Sequence, residues 1–148
     1  MNWTDLLTNR TVQNHTTSIE EINNLREIVK RDLLDASIAG LSADRRFATA
    51  YNAVLQLSKM AISCAGYRIS TNVGHHFRTF EVVKIALGTP SDTFTRYFEM
   101  CRRKRNNIDC DSAEVVSETE AAELLQKAKE FQIIIEDWIR INHPNFDV

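Results

Sequence analysis

Apolar residues recur along this chain every three or four positions, the spacing of one helical face. Ile22, Leu25, Val29, Leu33 and Ala36 form the first clear stripe and predict a helix over about residues 18–39. Thr17 is its expected N-cap, Glu20 three residues later completes a capping box, and Gly40 marks the end. A second helix is expected from after Ser42 to about Tyr67, on the stripe Phe47, Ala50, Tyr51, Val54, Leu57, Ala61 and Ala65. A third, over about 72–87, uses Phe77, Phe80, Val82, Val83 and Leu87 and stops at Gly88 and Pro90. A fourth starts near Ser91 or Asp92 and reaches the region of Asn107, with Phe94, Tyr97, Phe98, Cys101 and Ile108 on its stripe. A fifth follows Ser117, again with a glutamate (Glu120) in capping-box register. It runs to about Ile141 through Leu124, Leu125, Ala128, Phe131, Ile135, Trp138 and Ile139, and Pro144 ends it. Residues 1–17 read as a short helix followed by a loop, and 110–113 as a loop. No segment alternates with period two for long enough to predict a strand.

These stripes must bury against one another, and short connections make neighbouring helices antiparallel. The expected fold is therefore all-α, an up-and-down bundle of four or five helices. It forms a single domain over residues 1–148 with a short N-terminal extension at about 1–17. Composition supports this: 43% hydrophobic residues supply a core, and only 4 glycines and 2 prolines interrupt it. The net charge of -2 gives no global attraction to nucleic acid or anionic membranes, so any such contact must come from a local patch. Cys64, Cys101 and Cys110 are too widely spaced for a CxxC motif. An odd number of cysteines behind a start that lacks signal-peptide character suggests reduced thiols and a cytoplasmic location. No apolar run approaches the roughly 20 residues of a membrane span, and no membrane association is expected.

The one dense positive cluster is Arg102-Arg103-Lys104-Arg105. Four successive helical residues point in four directions, so most of the run should reach solvent and complement the helix macrodipole. Arg105 is different. It lies seven residues after Phe98 and eleven after Phe94, offsets that return to nearly the same helical angle. An arginine on the apolar stripe needs an acceptor or an opening, because burying an unpaired guanidinium is costly. Asp109 could pair with it, or it could line a polar cleft that takes a phosphate or carboxylate. Asn106 and Asn107 weaken the helix just beyond it.

Other chemical candidates are sparser. His75 and His76 are adjacent at the start of the third helix, where a polar helix start competes with a general acid–base role. Adjacent helical residues diverge, so no metal site is expected there. His15 and His143 fall near the termini and are expected to be exposed. Cys64 and Cys101 read as small core residues. Phe94, Tyr97 and Phe98 precede the basic run and read as core rather than as stacking platforms. There is no phosphate-binding glycine loop and no zinc-helix motif, and no cofactor is expected.

Four blocks give the chain a family resemblance. They are Arg45-Arg46-Phe47-Ala48-Thr49-Ala50-Tyr51-Asn52-Ala53; Gly66-Tyr67-Arg68 followed by Gly74-His75-His76; Tyr97 through Asn106; and Ala128-Lys129-Glu130-Phe131. Together, over about residues 18–142, the chain resembles the HEPN-domain family. The resemblance implies a helical bundle that commonly dimerises. Its catalytic members are metal-independent ribonucleases whose motif is an Arg, usually with a polar neighbour, and a His a few positions on. The motif lies in a cleft often shared across the dimer. Many members are neutralised by a minimal nucleotidyltransferase in toxin–antitoxin modules, and others bind RNA, nucleotides or proteins without cleaving anything. Arg105 and Asn106 match the first two motif positions. Positions 109, 110 and 111 are Asp, Cys and Asp, so Cys110 stands where a catalytic member has His. The expected function is thus a dimeric interaction module of weak or absent catalytic power. It would bind RNA or a partner protein through Arg105 and Asn106, with Arg102, Arg103, Lys104, His75 and His76 around them. The alternatives are a ribonuclease toxin using Arg105 and Asn106, and a purely structural homodimer.

Overall fold

The computed structural model describes residues 1–71, 75–108 and 115–147, with the backbone alone at 75–77 and 107–108. It is an all-α helical bundle. A short helix α1 (Trp3–Thr8) leads into strand β1 (Val12–Asn14) and the long helices α2 (Ile19–Ala36) and α3 (Ala43–Cys64). Strand β2 (Tyr67–Ile69), α4 (His75–Leu87), α5 (Asp92–Ile108) and α6 (Glu118–Asn142) follow.

Local chemistry sets the boundaries. The N-cap of α2 is Ser18 and not the expected Thr17: its hydroxyl oxygen accepts the Glu21 amide at 3.1 Å. Thr17 instead donates its hydroxyl to the Glu21 carboxylate at 3.0 Å. The same helix closes earlier than expected, because the Ser37 hydroxyl donates to the Leu34 carbonyl at 2.6 Å and ends the last turn. Ser42 caps α3 as expected. That helix stops at Cys64, where Gly66 adopts a φ of +100°, a left-handed value that favours glycine. Tyr67 consequently leaves the predicted helix and enters β2. Ser117 and Glu120 form the expected capping box of α6.

The strands are a further correction. β1 and β2 pair antiparallel, with Val12 opposite Ile69 and Asn14 opposite Tyr67. The Trp3 ring stacks on Tyr67 at 4.1 Å between centroids. Leu6 and Val12 are buried in the main core. The first 14 residues are thereby fastened to the chain that follows α3.

Helix directions follow from the ties between their ends. Arg46 near the start of α3 donates to the Ala36 carbonyl at the end of α2 (3.1 Å) and pairs with Glu118 at the start of α6 (2.5 Å). Asp44 accepts the backbone amides of Val115 and Val116 at 3.3 and 2.8 Å. Lys104, late in α5, pairs with Glu120 of α6. At the opposite end, Arg26 of α2 makes a two-pronged pair with Glu136 of α6, both at 2.9 Å. Helices α2, α3, α5 and α6 therefore alternate in direction. Helix α4 packs against α3 and α5.

The core is continuous through these helices. Phe80 of α4, Phe98 of α5 and Phe131 of α6 are fully buried. Their rings meet at 5.6 Å (Phe80–Phe98) and 5.0 Å (Phe98–Phe131), and Tyr51 of α3 meets Phe80 edge-on at 5.9 Å. Such contacts add about 0.5–1.5 kcal/mol per pair to the burial itself. This aromatic line fixes α5, whose other faces are mostly polar.

Candidate functional site

The ends of α2 and α5 and the starts of α3 and α6 gather at one pole of the bundle, and the basic run sits there. Its four cations have four different surroundings. Arg102 is largely buried, with a side chain only 14% exposed, and its Nε donates to both Glu99 oxygens at 3.2 and 3.3 Å. The expectation of a largely solvated run fails at this residue. Arg102 lies four positions after Phe98, so the same helical spacing that singled out Arg105 carries it toward the core. Lys104 is committed to Glu120 on α6. Arg103 is exposed. Arg105 is half-buried, and Asn106 is exposed one position on.

Tyr51 is the site residue that sequence reasoning placed only in the core. It is 3% exposed, and its hydroxyl has no hydrogen-bond partner among the described residues. Burial pushes the phenol well above its ordinary pKa, while the positive charges of Arg102 and Arg105 pull the other way. A neutral O–H donor is thus held within the electrostatic reach of two guanidiniums. A tyrosine on a helical stripe four residues after Phe47 gives no signal of this by itself.

Around the corner of α5, between it and α4, runs an open groove of about 520 Å³. Phe80 and Thr95 form its floor, and Lys84, Arg96, Met100 and Arg103 are exposed along it. Lys84 and Arg96 were not picked out by the sequence, because neither belongs to a run. The available signal was that Arg96 and Arg103 are seven apart and so share a helical face.

The two described thiols belong to the core. Cys64 and Cys101 are free and buried, and burial pushes each pKa up to about 12. The two remaining histidines are less exposed than expected. His15 bonds the Glu21 carboxylate at 2.7 Å. His143 packs on the Trp138 ring at 4.8 Å, and burial lowers its pKa.

Several candidates cannot be placed against this geometry. Cys110, Asp109 and Asp111 lie outside the described residues, as do the side chains of His75, His76 and Asn107. Among the described residues no group of three or more His, Cys, Asp or Glu side chains is disposed to hold a metal. None of the described helices is long and apolar enough to cross a membrane. No protein-family model, curated protein or solved structure matches this chain.

Proposed function

We propose that this chain is an HEPN-type module that binds RNA through the C-terminal half of α5, as a homodimer in the cytoplasm. One observation carries the reading. The basic run lies at one pole of the bundle, where Glu99 and Glu120 orient Arg102 and Lys104, Arg103 is exposed, and the half-buried Arg105 is near enough for its charge to act on the Tyr51 hydroxyl. Arg103 and Arg105 meet phosphate, for which the planar guanidinium is suited by its forked donors. The net charge of -2 makes this patch the means of attraction rather than the molecule as a whole.

The test is the affinity of the purified chain for RNA across a salt series, beside the double variant Arg103→Ala, Arg105→Ala. Binding should weaken as salt rises, and the variant should bind at least about tenfold more weakly with a shallower salt dependence. Affinity that ignores both changes would refute the reading. A partner protein bound in place of RNA would refute it as well. The same incubations examine the ribonuclease alternative. RNA cleavage that Arg105→Ala abolishes would favour a toxin, and a minimal nucleotidyltransferase that suppresses it would identify the antitoxin. Sedimentation equilibrium tests the homodimer directly.

A further inference from the structure

The groove between α4 and α5 has a charge pattern that the basic run does not explain. Five of its lining residues are ionisable: Glu81 and Lys84 from α4, and Arg96, Glu99 and Arg103 from α5. Both carboxylates are already engaged by cations that do not line it. Glu81 is bonded by Arg78 at 3.1 Å, and Glu99 by Arg102 at 3.2 Å. The groove's own cations are not matched in this way. Among the described residues Arg96 and Arg103 form no ion pair, and Lys84 has only Asp92 at 3.5 Å. The groove therefore presents three cations whose charge the protein scarcely compensates.

Helical geometry orders them. Arg96 and Arg103 lie two turns apart on one face of α5, about 10.5 Å along its axis. Met100 lies between them and is 64% exposed, so its side chain is open to a ligand in the groove. Lys84 faces them from α4, above a floor of Phe80 and the Thr95 side chain. A row of cations with an apolar residue in its middle matches a ligand that repeats a negative charge and carries flat apolar groups between the charges. Single-stranded nucleic acid has that make-up. The cations stand along a groove rather than on the broad face that double-stranded RNA needs for contacts across its minor grooves.

We infer that the α4/α5 groove is a path for single-stranded RNA, with Lys84, Arg96 and Arg103 on phosphates of its backbone and Met100 against a base. This rests on the proposed RNA binding and extends it, because Arg103 belongs to both the groove and the basic run. It makes Lys84 and Arg96 contact residues that lie outside the run.

The experiment is fluorescence anisotropy with the full chain and a labelled twelve-nucleotide oligouridylate, repeated with a duplex RNA hairpin and an octaglutamate peptide. The variants are Lys84→Ala with Arg96→Ala, Met100→Ala, Arg103→Ala with Arg105→Ala, and Lys30→Ala on α2 as a charge control. Lys84, Arg96, Met100 and Lys30 are exposed, so unchanged circular dichroism is expected of those variants. Loss of Lys84 and Arg96 should weaken oligouridylate binding about tenfold or more. It should also reduce the salt slope by roughly 1.4, the value for two phosphate contacts on a single strand. Met100→Ala should weaken binding several-fold without changing that slope, and Lys30→Ala should do neither. If the Lys84 and Arg96 pair can be removed without effect while the Arg103 and Arg105 pair cannot, the groove path is wrong and RNA binding at the end of α5 stands. If the wild-type chain binds no oligouridylate at low salt, the RNA reading itself falls. Tighter binding of the hairpin or of octaglutamate would overturn the assignment to a single strand.

Discussion

Burial keeps Cys64 and Cys101 as thiols, and the thiolate is the form that reacts. Iodoacetamide at pH 8 should leave both unmodified in the folded chain and label both in urea, with peptide mass spectrometry to locate the adducts. Native labelling at the rate of a free thiol would contradict the packing. The same shifts make a pH prediction. Both thiols and the hydroxyls of Tyr51 and Tyr97 have pKa values raised by burial, so the folded chain keeps protons that the unfolded chain releases. Their contribution to stability is complete below about pH 9 and is lost as pH rises from there toward 12. The melting temperature followed by circular dichroism should fall steadily between pH 9 and 11, and a flat profile would count against it. Cys64 and Cys101 could be read as core from their stripes. The surroundings of Arg102 and Tyr51 were harder to read, because they depend on which carboxylate and which second helix lie opposite.

At the scale of elements, most of the stability of a helix end is local, and that is why it could be read. Ser117 accepts the Glu120 amide at 3.1 Å while the Glu120 carboxylate accepts the Ser117 amide at 3.0 Å. Ser117→Ala should destabilise the chain by about 1 kcal/mol in urea unfolding. No change would mean that Asp44, through its bonds to Val115 and Val116, holds this turn alone. The strands β1 and β2 could not be read for the opposite reason. Each is three residues long, too short to show a period of two, and neither is a strand without the other. The one-residue error at Thr17 is of the same kind: Thr17 and Ser18 are both good caps, and backbone angles decide between them.

For the whole molecule the aromatic line through Phe80, Phe98 and Phe131 is the main cross-link among α4, α5 and α6. Phe98→Ala should cost about 3–5 kcal/mol in urea unfolding, a large share of a small domain's stability. It should also loosen the basic end, because Phe98 anchors the helix that carries it. A loss below about 1 kcal/mol would show that the site can collapse around the gap. The helical count and the core were legible because a 3.6-residue period repeats over long segments. Which helix end faces which was legible only in part, since pairs such as Arg46 with Glu118 join residues far apart in the chain. Distance along the chain also bears on how the molecule is made. Val12 has its partner at Ile69, on the order of sixty residues later. At ribosomal speeds of about 5–20 residues per second, that partner emerges roughly 3–12 s afterwards. Until then Trp3 lacks Tyr67 and Val12 lacks Ile69, so during synthesis the segment made first waits for α2 and α3 to be made before its strand can pair.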